Sequence, residues 1–115
     1  MATITPTSLQ SLTSVAVAET TLDGNDIFTY KPNVTQYLIL RNGTGGALAP
    51  NITGADATSQ SVDGVGSVDL SGGFTMPSIA DGTTVVLELR DIRSYLSGTI
   101  AMTSSTGLIA SLLEV

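Results

Sequence analysis

Cysteine, histidine and tryptophan are all missing from this chain. Without cysteine there is no disulfide framework, no thiol nucleophile and no thiolate metal site. Losing histidine removes the commonest general base and the commonest transition-metal ligand together. Serine is plentiful, but no histidine is present to activate it as a Ser-His-Asp triad would, so the inventory argues against an enzyme. Positive charge is also scarce. Four basic residues stand against ten acidic ones, for a net charge of −6, and only 12% of residues are charged, about half the usual share. Four scattered cations give no footprint for a phosphate backbone, so no direct nucleic-acid partner is expected. The same balance disfavours anionic membranes. No apolar run approaches the ~18 residues of a membrane span, and MATITPTSLQ lacks the basic and apolar regions of a secretory signal. The expectation is a soluble protein made in the cytoplasm.

What is present is short and aliphatic. The 115 residues are 42% hydrophobic, with a mean hydropathy of +0.33, enough for one domain with a core. With 2 Phe and 3 Tyr, that core must be mostly Val, Ile, Leu and Ala. Small aliphatics bury less area per residue than aromatics. Modest stability as a monomer follows, and with it a need for self-association or a partner.

Residues 1–12 carry Thr, Ser and Pro6 without a sustained period, which predicts an N-terminal arm, either loose or docked on a neighbouring chain. From residue 13 to residue 115, short β-type segments alternate with turn signals. TSVAVAE places Val15 and Val17 on one face, LDGND is a turn, and IFTY is a short strand stopped at Lys31-Pro32. VTQYLILR is the most β-prone run, with Val34, Leu38 and Leu40 on one face and Tyr37 and Ile39 on the other. It therefore reads as a central strand covered on both sides. ALAPNITGA is placed at a sheet edge because Pro50 lacks an N–H. Residues 55–66 show little pattern and read as a surface loop, and SVDLSGGFTMPSI holds one or two short strands broken at Gly72-Gly73 and Pro77. After the Asp81-Gly82 turn, Val85, Leu87 and Leu89 alternate inward against Thr84, Val86, Glu88 and Arg90 outward. GTIAMTS alternates again, and TGLIASLLEV reads as a last strand. Helical spacing is poor: LIASLLEV could support two turns and TSLQSL one. The fold class expected is all-β: a small single-domain antiparallel β-sandwich or jelly-roll-like barrel with an extended N-terminal arm.

Four local patterns invite chemistry. RNGTGGA resembles a phosphate loop, but it lacks the GK[ST] lysine. Asn42-Gly43 is instead a hairpin or tight-loop signal. Asp23, Asn25 and Asp26 sit together as in a calcium loop, without the twelfth-position Glu or flanking helices, so a turn with solvated carboxylates is the better reading. Three Asn-x-Thr sequons, at Asn33, Asn42 and Asn51, fit coincidence in a Thr-rich chain. In LELRDIRSY, Glu88 and Asp91 flank Arg90 and Arg93, half of all the positive charge in four residues. They form either a patch for an acidic partner or a local exposed ion pair worth under ~1 kcal/mol.

Several segments together resemble the capsid decoration (cement or head-stabilising) proteins of tailed bacteriophages. MATITPT is similar to the Met-Ala-Thr-x-Thr-Pro-Thr opening of one such group, and RNGTGGAL to its NG-(S/T)-G-A segment. MPSIADGTTVVLEL resembles its V-P-A-G-(G/A)-T strand entry, and SGTIAMTSSTGLIASLLEV its final hairpin. Where that group carries a GPFPP-like turn, this chain has LELRDIRSY. The resemblance implies a β-sandwich-type virion protein on the outer capsid surface, often a trimer, which clamps neighbouring subunits of the major capsid protein. It implies no catalytic residue and no cofactor. The expected contact elements are the arm, through Ile4, Leu9 and Leu12, and the Arg90/Arg93 patch. Rival readings are a carbohydrate- or receptor-binding β-domain of a phage fibre or surface protein, and a head–tail connector or tail component.

Overall fold

The computed structural model describes residues 2–9 and 14–115, apart from the Val62 side chain. Along the chain run β1 (Pro6–Ser8), β2 (Thr20–Thr21), β3 (Asn25–Phe28), β4 (Gln36–Arg41), β5 (Asn51–Gly54), β6 (Ser59–Val62), β7 (Gly66–Asp69), β8 (Phe74–Thr75) and β9 (Thr84–Glu88). A 3-10 segment (Leu89–Tyr95), kinked at Ile92, then leads to β10 (Ile100–Thr103) and β11 (Ile109–Glu114). Two sheets face each other. One has the order β1-β11-β4-β9, with β2 pairing on β11 beside β1, and the other has the order β3-β10-β5-β8. β6 and β7 form a separate antiparallel hairpin. The molecule is an all-β sandwich.

Period-2 alternation explains the two layers. In β4, Gln36, Leu38 and Leu40 are buried while Tyr37 and Ile39 are half-buried. Ile100 and Met102 of β10 and Ile52 of β5 face them from the other sheet in one core cluster with Phe28, Ala110 and Leu112. Side chains alternate by face along a strand, so each sheet has one greasy side, and burying the two together makes the core. Each fully buried Leu or Ile contributes about 1.5–3 kcal/mol. β4 is interior, between β11 and β9, although its outer face is only half covered.

Several expectations change. TSVAVAE forms no strand: residues 14–19 are irregular, Val15 and Val17 are exposed, and only Thr20–Thr21 pairs. β5 is not at an edge but lies between β10 and β8. Pro50 immediately precedes its first residue, where no ladder N–H is required. Residues 55–66 are not a plain loop, since they include β6 and the turn into β7. Asn42-Gly43 does not close a hairpin between β4 and β5, because those strands belong to different sheets, and neither residue has the positive φ of a type I′ turn. The Asn42 side chain ties this crossover instead. It is buried, donates to the carbonyls of Gly46 and Ile79 at 2.8 Å each, and accepts from the Thr44 N–H.

The segment expected as an arm is built into the sheet over its described part. Ile4 N–H donates to the Ile27 carbonyl, and β1 pairs in parallel with β11, Pro6 opposite Leu112 and Ser8 opposite Glu114. The sandwich therefore includes a parallel strand pair, and Thr3 adds a parallel bridge to Ile27 in the other sheet.

Candidate interaction surface

Asp26 is the most buried ionisable group in the fold. Its carboxylate is fully enclosed and accepts the N–H groups of Ala2 and Asp23 at 3.2 Å and of Gly24 at 3.3 Å, and the Ser105 hydroxyl at 3.4 Å. The LDGND carboxylates are therefore not all solvated: Asp26 turns inward and gathers donors from three chain segments. Its bonds are all spent on the protein's own backbone and one hydroxyl, which is a structural arrangement. Among the described residues no three acidic, His or Cys side chains gather where a metal ion could sit. Asn42, the acceptor of the middle sequon, is buried and hydrogen-bonded through its amide nitrogen, which closes it to glycan attachment.

Two of the four basic residues have carboxylate partners. Lys31 bonds Glu114 at 3.0 Å and Arg41 bonds Glu19 at 3.2 Å. Arg90 and Arg93 do not, among the described residues. Both lie exposed on the 3-10 segment, and Arg90 donates to the Thr35 hydroxyl at 3.0 Å. The segment stays against the body because Leu89, Ile92 and Leu96 are buried in the core and the Tyr95 ring lies 5.8 Å from Phe74. That apolar spacing leaves the two arginines facing solvent.

A groove of about 210 Å³ is lined by Phe74 to Ile79 except Thr75, and by Val85 to Leu87. β8 ends one sheet and β9 ends the other, so the groove follows the side where the sandwich stands open. Its only polar side chain is Ser78 and it holds no titratable group. The volume falls below the usual ~300–1,000 Å³ of a small-molecule site, so it suits one or two side chains of another polypeptide. Val86, on the outer face of β9, is 62% exposed at its rim.

The expected contact residues sit in different environments. Ile4 is only 1% exposed and belongs to the core, so it has no face for a partner. Leu9 is 39% exposed, with its N–H bonded to the Glu114 carbonyl. Leu12 lies outside the described residues. Leu9 follows β1 at one edge of its sheet and Arg90 and Arg93 follow β9 at the other, yet Arg90 reaches across to Thr35, whose backbone pairs with Val115 next to the Glu114 that Leu9 bonds. The groove escaped sequence reading because its two walls come from different sheets, and no local period joins them. No protein-family model, curated protein or solved structure matches the chain.

Proposed function

We propose that this protein is a structural, non-catalytic virion component: a decoration protein that binds the outside of a tailed-phage head and steadies contacts between major capsid subunits. The observation that carries a binding role is the open side of the sandwich, where an apolar groove is lined without a titratable group, together with Arg90 and Arg93, which lie exposed and without a carboxylate partner among the described residues. Such surfaces offer shape and charge to another polypeptide and offer no chemistry to a substrate. The capsid as partner comes from the sequence likeness. The segments that carry it, RNGTGGAL, MPSIADGTTVVLEL and SGTIAMTSSTGLIASLLEV, make up the β4–β5 crossover, the groove with β9, and the β10–β11 pair. Few long charged side chains also means little rotamer entropy lost at a large repeated interface.

The contact elements favoured on this reading are Arg90, Arg93, Leu9 and the groove. Removing residues 1–12 is not a clean test, since it deletes Ile4 and β1 from the core and sheet. Quantitative mass spectrometry and cryo-EM of purified particles test the proposal directly. Copies comparable in number to the major capsid protein, seen on the outer shell, support decoration. A handful of copies at one vertex or on a fibre moves the protein to the connector or receptor-binding class, and absence from particles removes it from the virion.

A further inference from the structure

Asn42-Gly43 is the one Asn-Gly pair in the chain. In a flexible peptide this pair loses its side-chain amide readily, because the glycine nitrogen can attack the asparagine side-chain carbon and no Cβ obstructs the approach. The fold holds the pair in a way that prevents the attack. Asn42 is 1% exposed, and each hydrogen-bonding position of its side chain is filled. Its Nδ2 donates to the Gly46 and Ile79 carbonyls at 2.8 Å each. Its Oδ1 accepts the Thr44 N–H at 3.0 Å and the Thr44 hydroxyl at 2.8 Å. The backbone is pinned as well: the Asn42 N–H donates to the Thr83 carbonyl at 3.0 Å, and the Asn42 carbonyl accepts the Gly82 N–H at 2.7 Å. Turning the side chain onto the Gly43 nitrogen breaks its bonds to both sides of the crossover. Gly43 itself is exposed, with nothing near its Cα on the side-chain side, so the protection comes from how Asn42 is held.

We propose that Asn42 is a latent modification site that makes opening of the β4–β5 crossover irreversible: once released, it deamidates at Gly43, and the product no longer fits the fold. In the open chain the Gly43 nitrogen bonds to Cγ of Asn42 and the Cγ–Nδ2 bond breaks. The proton lost by Gly43 passes through solvent to the departing nitrogen, which leaves as ammonia. Water then opens the cyclic imide at one of its carbonyls. One opening leaves an ordinary aspartate at position 42, and the other leaves isoaspartate, whose main chain runs through Cβ and Cγ. Nothing is oxidised or reduced, and water is the only co-reactant.

Neither product suits the site. An ordinary aspartate sets a carboxylate oxygen where Nδ2 had donated, facing the Gly46 and Ile79 carbonyls, so acceptors meet acceptors and a buried charge lacks a partner. Isoaspartate lengthens the main chain and moves the N–H and carbonyl of position 42 out of step with Thr83 and Gly82. A closed chain therefore keeps its amide, and an open one is lost in proportion to the time spent open, which turns stability into a lifetime. The inference concerns the chain alone and does not depend on the capsid reading.

The test holds the purified chain at mildly alkaline pH, in buffer and in guanidinium chloride. Peptide mapping by mass spectrometry follows the acid formed at position 42, and dilution at intervals gives the fraction that still refolds. Deamidation in buffer should be at least about tenfold slower than in denaturant, because only the opened fraction reacts. The refolding fraction should fall in step with the amide. Gly43→Ala supplies a second arm. Its methyl group meets nothing within 4 Å, so Tm should hold, while crowding at the attacking nitrogen slows the reaction in denaturant and preserves refolding. Asn42→Asp, made directly, should lower the denaturant midpoint or prevent folding. Native deamidation less than about tenfold slower than that of the unfolded chain overturns the inference. So does Asn42→Asp with an unchanged midpoint, or Gly43→Ala that loses its capacity to refold as fast as the unsubstituted chain.

Discussion

Two Asp-Gly turns in this chain have the same local chemistry and opposite fates. Asp23-Gly24 and Asp63-Gly64 both place glycine at positive φ, 97° and 80° respectively, as tight turns require. Around the first, Asp26 folds inward and gathers N–H groups from Ala2, Asp23 and Gly24, so the turn fastens the start of the chain to the region of Ser105. Around the second nothing is gathered, and the described side chains of the hairpin face solvent. Local sequence made both turns, but only the two residues after Gly24 decide that one is an anchor and the other a projection. Turn propensity tells where a chain reverses, and the neighbouring side chains tell what the reversal is for.

Breaking the anchor should have the largest effect. Asp26→Ala strips the shared acceptor from several donors and should cost about 3 kcal/mol in urea unfolding, since each buried donor left without a partner costs about 1–3 kcal/mol. Asp63→Ala should stay within about 0.5 kcal/mol, as exposed substitutions do. If the two cost the same, the contrast between anchor and projection is lost.

Glycine substitutions probe the comparison more finely. Gly64→Ala meets nothing within 4 Å and should cost only the left-handed backbone penalty, about 1–2 kcal/mol. Gly24→Ala bears the same penalty and also drives its Cβ into the Thr106 side chain, whose hydroxyl donates to the Asp23 carbonyl at 3.3 Å. It should therefore be worse by about 1 kcal/mol, measured as a difference in urea midpoint at equal m-value.

The smallest effect concerns acid. The Ser71 backbone N–H, and after it the Ser71 hydroxyl, hold the Asp69 carboxyl below its ordinary value of 3.8. A lowered folded pKa means that this carboxylate adds stability above the unfolded value and that the contribution disappears as pH falls through the folded one. Asp69→Asn should thus lower stability slightly at neutral pH, with the difference from the unsubstituted chain shrinking as pH falls below about 4. A difference that stays the same size in acid would mean that the side chain acts through packing.

Much of the sandwich was legible because its strands obey period 2. Val85 and Leu87 against Thr84 and Val86, and Ile100 and Met102 against Ala101 and Thr103, alternate in the sequence as they do in space. The failures share a physical cause, which is that tertiary placement was missing. Val15 and Val17 alternate like a strand, yet residues 14–19 join no ladder among the described residues, and the Ala18 N–H donates to the Thr7 hydroxyl instead. The β6–β7 hairpin was illegible for the reverse reason: neither face is covered by the body, so no apolar alternation marks it. Pro50 misled because a proline just before a strand says nothing about that strand's interior. Asp26 was seen as one of two clustered acids beside Asn25, and only the fold shows that it alone turns inward. Of the surface, Arg90 and Arg93 were visible as a charge cluster, while the groove required both sheets.

The parallel pairing of β1 with β11 also sets an order of events in the making of the protein. β11 is the shared ladder partner of β1, β2 and β4, so the inner edge of β4 and the whole of the first two strands wait for residues 109–114. While the ribosome is still adding those residues, Ile4, Leu22, Leu38 and Leu40 have nothing complete to bury against. Sheet closure spans a separation of 106 residues, from Pro6 to Leu112, and such long-range pairing is slow compared with local structure. Until residues 109–114 have been made, the apolar stretches of β1, β2 and β4 lack their shared ladder partner, and the first sheet closes only after β11 joins it.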